Sequence, residues 1–396
     1  MNWYYMSLHS EADRFSVYSF QNDLKNVQIA IENSEGHVLA KDIYSTISIP
    51  SFPQSSMDGF AIRLNNREEV LPIQDELPAG SSKKLVLQNH FAIKVFTGGQ
   101  VPESADLVIQ KEWVNYVEGG ITIQPKQLEK GANIRLPGSE IKKDQLAIPA
   151  GTLLNSFQIA FLASMGIATV EVYRKPKVSL IITGNELVKP GETLTEGKVY
   201  ESNSFGLKAC LQKEDIGQVS ILYAMDTLED TEEKIHQALN ESDLVLLTGG
   251  VSVGDYDFVA KACVNQGVTI LFHGVKQKPG KPLFLGSMGS QFIFGLPGNP
   301  ASVLSCFQQY VLLAINLLTG KKEDNPVLAK LKEPYEKKNS LCFFLKGYYN
   351  EGEVSVLSQQ ASFQLSSFVK ANCWIELDEN KENFEALQLV RFHMFH

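Results

Sequence analysis

The stretch QFIFGLPGNPASVLSCFQQYVLLAINLL, residues 291–318, carries a strand, a loop and a helix in direct succession. QFIFGLP is a short, nearly continuous apolar run, which is typical of a strand buried on both faces of a parallel sheet. The helix is predicted to begin after Asn299 as N-cap, with Pro300 at the first helical position. Apolar residues at 303, 304, 307, 311, 314, 315 and 318 give that helix a buried face. The stretch therefore predicts one unit of an α/β domain.

Two further apolar runs of the same kind lie upstream, KVSLIIT at 177–183 and DLVLLT at 243–248. Each leads into a loop with glycine and then a segment of helical character. The predicted helices are SFGLKACLQKE at 204–214, EDTEEKIHQALNE at 229–241 and DYDFVAKACVNQ at 255–266. Strand, loop and helix repeated in this order predict a doubly wound α/β domain over about 174–322.

The chain on either side of this domain is expected to be rich in β-structure. Before it, short apolar runs between turns, such as FAIRL, KLVLQ, FAIKVF and DLVIQKEWV, indicate strands up to about residue 150. After the polar linker GKKEDNP at 320–326, the runs CFFLKGYY, EVSVL, CWIEL and ALQLVRF indicate a small β domain. A chain of 396 residues is also too long for one hydrophobic core, so we expect a multidomain α/β plus β protein.

Composition excludes several classes of partner. The net charge of −9 repels polyanions, so nucleic acid is not expected to bind. The start of the chain does not resemble a signal peptide, and the most apolar run, residues 303–318, is interrupted by polar residues and is expected to be too short for a bilayer, so no membrane is expected. The five cysteines are odd in number and form no C-x-x-C, which predicts reduced core residues of a cytoplasmic protein.

Three glycine-containing loops follow the three apolar runs, at 183–191, 248–257 and 296–302. Ligands of open α/β sheets bind outside the carboxyl ends of the strands, so these loops should meet at one edge. Any one of them is explained by a tight turn, but three together favour a phosphate-bearing ligand. None matches a Walker or dinucleotide fingerprint. The candidate substrate-binding residues are Thr183, Gly184, Gly249, Gly250, Ser252, Gly254, Pro297, Gly298, Asn299 and Pro300.

Lysines and carboxylates accompany these loops. GVKQKPGKP at 274–282 holds three lysines, Lys276, Lys278 and Lys281, which form either a solvated basic loop or, more consistently with an acidic protein, an anion site. Carboxylates next to a phosphate repel it unless a cation lies between them, and Mg²⁺ takes one or two protein carboxylates plus substrate oxygens. A single aspartate can instead cap a helix or turn, as Asp255 is expected to do. The carboxylates concerned are Asp58, Glu186, Asp226, Asp255 and Asp257.

Read together, the loops resemble the MoeA-type molybdopterin molybdenumtransferases, which are related to the E domains of gephyrin and of its plant counterpart. The matching segments occur in the family's order over about 250 residues, and the ordered set is far more specific than any one of them. They are PSFPQSSMDGFAIR (50–63), FTGGQVPESADLVIQKE (96–112), NIRLPGSEI (133–141), IITGNELVKPG (181–191), YESNS (200–204), DLVLLTGGVSVGDYDFV (243–259), KPGKP (278–282) and GLPGNPAS (295–302).

The resemblance implies four structural parts. Residues 1–20 and 174–322 would form a MogA-like α/β molybdopterin-binding domain, and residues 21–47 with 141–173 an elongated connecting domain. Residues 48–140 would form a β-rich second domain, and residues 323–396 a C-terminal β-barrel. The family forms homodimers in which the active cleft lies between the α/β domain of one subunit and the second domain of the other.

The resemblance also implies a reaction. Adenylyl-molybdopterin and molybdate would be the substrates, Mg²⁺ or Zn²⁺ the cofactor, and AMP would be released as molybdenum is left on the dithiolene. A MogA-type adenylyltransferase would be a transient partner. The residues carried over as catalytic are Asp58, Thr97, Arg135, Glu140, Glu186, Lys278 and Lys281, and those carried over as metal ligands are Asp58, Glu186, Asp226 and Asp257.

This sequence departs from the family pattern at three positions near those residues. Asn185 stands where the family has Asp in TGDEL, Gly99 replaces a common Ala, and Glu140 stands where Asp is expected. The Asn removes one charge, and the Glu is one methylene longer, which is enough to displace a carboxylate by about 1 Å. These changes leave open a molybdopterin-binding or scaffold protein with weakened catalysis. A MogA-like adenylyltransferase is a further alternative, although the domains outside the α/β domain argue against it, since a lone α/β domain would suffice for that reaction.

Overall fold

The computed structural model describes residues 24–124, 128–251, 258–322 and 327–395. These residues divide into two compact units. The N-terminal unit comprises Gln28–Glu35 and Leu39–Val172, and the C-terminal unit comprises residues 24–27, Gly36–Val38 and the chain from Tyr173 onward. The predicted segment 1–20 and the candidate residues Ser252, Gly254, Asp255 and Asp257 lie outside the described residues.

Short strands dominate the N-terminal unit. Among its described residues the one α-helix, α1, is Ser156–Ser164, and short 3₁₀ turns occupy Ile31–Asn33, Leu64–Asn66 and Lys111–Trp113. The strands, including two that run into the boundary with the other unit, are β1 Asn26–Ala30, β2 Ile43–Tyr44, β3 Gln54–Ser55, β4 Gly59–Ile62, β5 Ile73–Leu77, β6 Ala92–Val95, β7 Leu107–Gln110, β8 Val114–Val117, β9 Gly120–Ile123, β10 Ile134–Arg135, β11 Leu146–Ile148 and β12 Thr169–Tyr173.

A four-stranded sheet in the order β5-β6-β4-β7 forms the centre of the β-rich part of this unit. β4 lies between β6 and β7 and is buried along its whole length, with alternate side chains packing into two separate cores. The predicted strand KLVLQ was wrong, because residues 84–88 run without a ladder partner; Leu87 is nevertheless buried, and its N–H donates to Ser104 Oγ at 2.8 Å. Asp58 directly precedes the buried β4, which fixes where that carboxylate stands.

A second core in the N-terminal unit draws on residues far apart in sequence. Leu39 packs with Ile141, Ile148, Leu162 and Val172. Helix α1 begins with a capping box, in which the Asn155 side chain accepts from backbone N–H groups and Gln158 accepts from the Asn155 N–H. The chain therefore leaves this core, builds the β-rich part and returns to it.

The C-terminal unit contains an α/β domain and a β domain. Its helices are α2 Asn203–Lys213, α3 Leu228–Glu241, α4 Val259–Asn265, α5 Pro300–Cys306 and α6 Leu312–Leu318. The strands of the α/β domain are β13 Val178–Thr183, β14 Leu187–Val188, β15 Val199–Tyr200, β16 Val219–Ala224, β17 Leu244–Thr248, β18 Thr269–His273, β19 Gln277–Lys278, β20 Phe284–Met288 and β21 Gln291–Leu296. The β domain has β22 Val327–Leu331, β23 Tyr335–Glu336, β24 Cys342–Asn350, β25 Glu353–Val356, β26 Cys373–Leu377, β27 Asn383–Phe384 and β28 Leu389–Met394.

The sheet of the α/β domain has the order β16-β13-β17-β21-β20-β18. The first four strands are parallel, and helices cover both faces: α2, α5 and α6 pack on one face, and α3 and α4 on the other. The predicted doubly wound domain is confirmed. The antiparallel β20 and β18 at one edge were not anticipated, since their runs are short and lack intervening helices.

Helix α5 continues through a π-helical turn, Phe307–Val311, into α6. The predicted start is confirmed, with Asn299 as N-cap and Pro300 at the first position, although the Asn299 side chain makes no capping hydrogen bond. The combined helix Pro300–Leu318 is 19 residues long and apolar enough to cross a membrane, so the expectation that it is too short was wrong. Within its apolar 18-residue window, 67% is nevertheless buried in the protein, which is the pattern of a core helix.

Five strands of the β domain close into a barrel. They follow the order β24-β25-β22-β28-β26, and β26 pairs again with β24. Closure removes free sheet edges and encloses a core of Leu345, Val354, Ile375 and Phe392 among others. The predicted C-terminal β-barrel is confirmed. β19, from the α/β domain, pairs in parallel with β24, so the two parts of this unit share a sheet.

Candidate active site

Three strands of the C-terminal unit end side by side at one edge of the sheet. The last residues of β13, β17 and β21 are Thr183, Thr248 and Leu296. The Thr183 hydroxyl donates to the Thr248 carbonyl at 3.1 Å, and the Gly249 N–H donates to the Leu296 carbonyl at 3.1 Å. The three glycine-containing loops therefore begin in contact with one another, as the repeated order of strand, loop and helix in the sequence predicted.

Glycine is required at the centre of this edge. Gly249 has φ of +88°, and a Cβ there would lie 2.6 Å from Thr183 Oγ1. A Cβ on Gly298 would lie 3.9 Å from the Gly249 Cα, so the second and third loops approach at backbone distance. Gly250 and Gly298 are exposed, while Pro297 is buried beneath them. At Gly249, Gly250 and Gly298 the edge thus presents main chain to a ligand.

Asn203, at the start of α2 and within the motif YESNS, is a site residue that sequence reasoning missed. Its Nδ2 donates to the Gly298 carbonyl at 2.9 Å. Its Oδ1 is buried and has no hydrogen-bond partner among the residues that the structure describes, and the same holds for Thr248 Oγ1. Buried polar atoms are normally satisfied, so both are candidates for contact with a polar ligand. The sequence feature that could have identified Asn203 is the polar run of YESNS, which lies between a strand and a helix.

The start of helix α5 is less available than the sequence suggested. The Ala301 N–H donates to the Ser362 carbonyl at 3.0 Å, and the N–H groups of Ser302 and Val303 both donate to the Asn299 carbonyl at 3.0 Å. The first N–H groups of this helix therefore already have acceptors. Anion binding at the third loop must rely on the backbone before Asn299 and on neighbouring cations.

The carboxylates of the loops after β13 and β16 are linked through Asn185. Its N–H donates to Asp226 Oδ2 at 2.9 Å, and its Oδ1 accepts from the Asp226 N–H at 3.4 Å. The Glu186 carboxylate folds over Gly184, where a Cβ would meet both carboxylate oxygens at 2.9 and 3.0 Å. Glu186 and Asp226, the predicted metal ligands of this unit that the structure describes, therefore belong to one joined pair of loops.

This donor set fits a hard divalent cation of the Mg²⁺ kind. Across residues 24–124, 128–251, 258–322 and 327–395, no three His, Cys, Asp or Glu side chains come together as a ready metal site. Mg²⁺ does not require such a cage, because it usually takes one or two carboxylates and fills its octahedron with water and phosphate oxygens. Zn²⁺ prefers Cys and His ligands, which these loops do not supply.

The lysine loop is anchored on helix α5 and its π-helical turn. The Tyr310 hydroxyl donates to Gln277 Oε1, and Gln277 Nε2 donates to the Pro279 carbonyl at 2.9 Å. A Cβ on Gly280, which has φ of +92°, would lie 2.5 Å from Cys306 Sγ. Buried contacts thus hold the inner side of the loop. Lys278 and Lys281 are exposed on its outer side, with Lys278 Nζ 5.4 Å from the ring centroid of Phe343.

In the N-terminal unit, Thr97 organises Asp58. The Thr97 N–H and hydroxyl both donate to Asp58 Oδ1 at 2.9 Å, and Lys111 Nζ lies 3.7 Å from Oδ2. The backbone N–H of Thr97 is the main reason that the pKa of Asp58 is lowered, with the hydroxyl and Lys111 adding to it. Asp58 is therefore an ionised acceptor at neutral pH.

Arg135 and Glu140 line one open cavity of about 550 Å³ in the same unit. Strand β10 places Arg135 opposite Gln54 of β3, and Arg135 Nη1 is 3.5 Å from Gln54 Oε1. Gln54 Nε2 donates in turn to the Gly98 carbonyl at 3.1 Å, in the turn that follows Thr97. Gln54 is a second residue that sequence reasoning missed. It connects the arginine to the turn that holds the aspartate.

The candidate residues fall into two sets. The N-terminal unit contains Asp58, Thr97, Arg135 and Glu140, and the C-terminal unit contains the glycine loops, Glu186, Asp226, Lys278 and Lys281. Asp58 thus belongs to a different unit from the other described metal candidates. The predicted residues Ser252, Gly254 and Asp257 lie in the part of the second loop that the structure does not describe.

Comparisons with known proteins match the whole layout. The profile described as "MoeA N-terminal region (domain I and II)" matches residues 9–166. "Probable molybdopterin binding domain" matches residues 179–317, which contain the loop edge, and "MoeA C-terminal region (domain IV)" matches residues 329–395. The three matches follow one another in the order expected of one family.

Full-length relatives and solved structures agree. The chain is 34% identical over 386 residues to a molybdopterin molybdenumtransferase of Haemophilus influenzae, covering 92% of this chain and 93% of that protein. It is 35% identical to one of Staphylococcus epidermidis, covering 93% and 91%. A crystal structure of the molybdopterin biosynthesis MoeA protein of Pyrococcus horikoshii, 29% identical, covers 98% of this chain and all of that chain with a TM-score of 0.80. This chain belongs to the MoeA family, whose curated members are named molybdopterin molybdenumtransferases.

Proposed function

We propose that this protein transfers molybdenum from molybdate to adenylylated molybdopterin and releases AMP. The names of its full-length relatives support the reaction class. The observation that carries the proposal is the convergence of three glycine loops at one sheet edge, where the Thr183 hydroxyl and the Gly249 N–H join neighbouring strand ends. Such an edge accepts the phosphate groups of a nucleotide-bearing ligand.

The same edge suits cleavage of a phosphoanhydride. One water attacks one phosphorus of the P–O–P bridge, the bond from that phosphorus to the bridging oxygen breaks, and the products are AMP and the phosphate monoester of molybdopterin. Lys278 and Lys281 stand on the exposed side of an anchored loop, where they neutralise charge that develops on the phosphate oxygens. Molybdate is a second oxyanion that a compact ammonium group binds well. Basic residues among carboxylates are therefore expected for this chemistry.

A divalent cation completes this arrangement. Glu186 and Asp226, held on the loops that Asn185 joins, are the residues of this unit that would bind it. When bound, Mg²⁺ supplies charge neutralisation at the phosphate oxygens. Without a cation, the two carboxylates would repel the ligand that the glycine loops favour, so the proposal requires one.

We further propose that the protein works as a homodimer, with a cleft formed by the α/β domain of one subunit and the β-rich part of its partner. The support is chemical. The C-terminal unit offers glycine loops, two lysines and two carboxylates, whereas the N-terminal unit offers Asp58, ionised by Thr97, together with Arg135 and Glu140. Each set holds part of what the reaction needs. Because the substrate arrives adenylylated, a MogA-type adenylyltransferase is the proposed donor.

The direct test is AMP release by the purified protein given adenylyl-molybdopterin, molybdate and Mg²⁺. Lys281→Ala is expected to lower the rate by roughly 10²-fold or more, the usual effect of losing one group that stabilises transition-state charge. Lys330→Ala, an exposed lysine of β22, is the matched control and should leave the rate unchanged. No AMP release by the unmodified protein would refute the proposal, and ATP-dependent AMP addition would favour the adenylyltransferase alternative.

Subunit mixing tests the shared cleft. Asp58→Ala and Lys281→Ala proteins should each be nearly inactive, but a mixture that exchanges subunits should regain activity, because some dimers then contain one intact cleft. Mixing Asp58→Ala with Arg135→Ala is the control, since both changes lie in the same unit and no cleft is restored. A lack of recovery in the first mixture, with subunit exchange verified, would contradict the shared cleft.

A further inference from the structure

We propose that the C-terminal β domain positions two loops of the α/β domain, the loop at 296–302 and the lysine loop at 274–282. Two buried lysines of the β domain, Lys346 and Lys337, each hold the segment that contacts one of these loops. Both lysines are almost fully enclosed, at 1% and 2% exposure, and neither belongs to the site described above. The effect of these contacts on catalysis rests on the proposed function, whereas the positioning of the two loops does not depend on it.

The first contact grips the loop at 296–302. The Ser362 carbonyl accepts from the Ala301 N–H at 3.0 Å, and the Ser362 hydroxyl accepts from Asn299 Nδ2 at 3.1 Å. Ser362 therefore binds Asn299 from the side of the barrel. Its carbonyl also accepts from the Ala301 N–H, one of the helix-start N–H groups that have no acceptor within the helix. The last loop residues before α5 are set by a residue about sixty positions later.

Lys346 holds the segment that carries Ser362. Its Nζ donates to the carbonyls of Gln364 at 2.9 Å and Ala361 at 3.3 Å, one on each side of Ser362. Its backbone is tied to the same segment, because its N–H donates to Gln360 Oε1 at 2.9 Å and its carbonyl accepts from Gln360 Nε2 at 2.8 Å. One buried residue of β24 thus fixes residues 360–364.

The second contact grips the lysine loop. The Cys342 N–H donates to the Lys276 carbonyl at 2.9 Å, and β19 runs parallel to β24 with Lys278 opposite Phe343. The Phe343 ring also faces the Lys278 ammonium at 5.4 Å. The backbone and the side chain of a proposed catalytic lysine are therefore both set by the first residues of β24.

Lys337 holds the start of β24. Its Nζ donates to the Leu341 carbonyl at 2.7 Å, immediately before Cys342, and also to the Asp378 carbonyl. It lies 5.5 Å from the centroid of the same Phe343 ring. The two lysines thus act alike: each ammonium fixes main-chain carbonyls beside a residue that bonds to one ligand loop.

Stability alone does not explain these lysines. Burying an ammonium is costly, and apolar residues of similar volume usually fill a barrel interior at lower cost. What an ammonium adds is three directed donors, which hold irregular backbone in one geometry. Irregular backbone is found at both segments, next to the two contacts with the α/β domain.

The test uses hydrogen–deuterium exchange of the full chain with Lys346→Met and Lys337→Met. Lys346→Met should raise exchange about tenfold in peptides covering 299–303 and leave Cys342 protected. Lys337→Met should do the converse, with faster exchange at Cys342 and unchanged exchange at 299–303. Equal exchange in both variants, or loosening of both loops by each, would overturn the inference.

Two further measurements keep the inference testable if a lysine variant folds poorly. Ser362→Ala removes only the acceptor of the Asn299 side chain and keeps the carbonyl that accepts from the Ala301 N–H, so exchange at 299–303 should rise by less than in Lys346→Met, without a lower unfolding temperature of the barrel; a rise as large as that of Lys346→Met would count against the main-chain contact. In AMP release, Lys346→Met should mainly raise KM for adenylyl-molybdopterin, and Lys337→Met should mainly lower kcat. If the unmodified protein releases no AMP while the exchange pattern is as expected, the proposed function fails and the positioning role stands.

Discussion

Thr97 donates two hydrogen bonds to a single oxygen of Asp58, one from its main-chain N–H and one from its hydroxyl, each of 2.9 Å. Both bonds favour the ionised carboxylate, and Lys111 adds to their effect, so the pKa of Asp58 is lowered. A threonine in a turn therefore sets the charge and the orientation of an aspartate 39 residues earlier in the chain.

Replacing Thr97 by Val is predicted to raise the pKa of Asp58 towards its usual value, because the hydroxyl bond is lost while the N–H bond remains. The folded-state pKa is depressed, so the ionised form is present at neutral pH and is lost as the pH falls through that pKa. The acid limb of AMP release should shift to higher pH. Carbon NMR of the Asp58 carboxyl measures the shift directly. Thr97→Ser, which keeps the hydroxyl, should titrate like the unmodified protein, and an unmoved pKa in the valine variant would contradict the prediction.

Replacing Gly249 by Ala is predicted to damage the loop edge. A Cβ would lie 2.6 Å from Thr183 Oγ1 at a φ of +88°, so strain and overlap together should lower the free energy of unfolding by about 2–4 kcal/mol. Gly267→Ala is the matched control, because its φ is +84° but nothing lies within 4 Å of the added Cβ; it should cost about 1 kcal/mol. Urea unfolding measures both. Equal losses in the two variants would show that the close approach to Thr183 is unimportant.

Replacing Tyr310 by Phe is predicted to loosen the lysine loop while keeping the shape of the core. The change removes the donor to Gln277 Oε1, which should lower the free energy of unfolding by about 1–2 kcal/mol. Gln277 also donates to the Pro279 carbonyl, so AMP release should slow about tenfold. Tyr348→Phe, whose ring is 47% exposed on β24, should change neither quantity. A stable but fully active Tyr310→Phe protein would rule out this positioning role.

Replacing Asn185 by Asp, the residue usual in the family, is predicted to leave the loops in place. Asn185 uses its N–H and Oδ1 towards Asp226, and an aspartate offers the same two groups. The added negative charge should lower the Mg²⁺ concentration for half-maximal AMP release by a few-fold. Asn240→Asp, at the exposed end of α3, adds the same charge elsewhere and should leave that concentration unchanged. A weaker Mg²⁺ response in Asn185→Asp would contradict a metal at these loops.

Local patterns were sufficient for the α/β domain. Continuous apolar runs ending at Thr183 and Thr248, and the Pro300 helix start, identified strands and a helix whose positions agree with the structure. Hydrophobic periodicity gave wrong or missing strands in two places. Residues 84–88 were predicted as a strand but pair with no other strand, and the antiparallel strands β18 and β20 were not predicted. Periodicity also did not predict that the Asn299 side chain would donate to the Ser362 hydroxyl instead of capping its own helix.

The fold class, the family and the chemical types at the site follow from local sequence, because hydrophobic period, turn glycines and ordered motifs are properties of neighbouring residues. Which distant groups meet depends on the folded chain. The bonds from Thr97 to Asp58, from Tyr310 to Gln277, and from Lys346 to the segment around Ser362 join residues between 15 and 39 positions apart. Such contacts depend on closure of sheets and the barrel, which satisfies buried polar groups through space, and no local spacing encodes them.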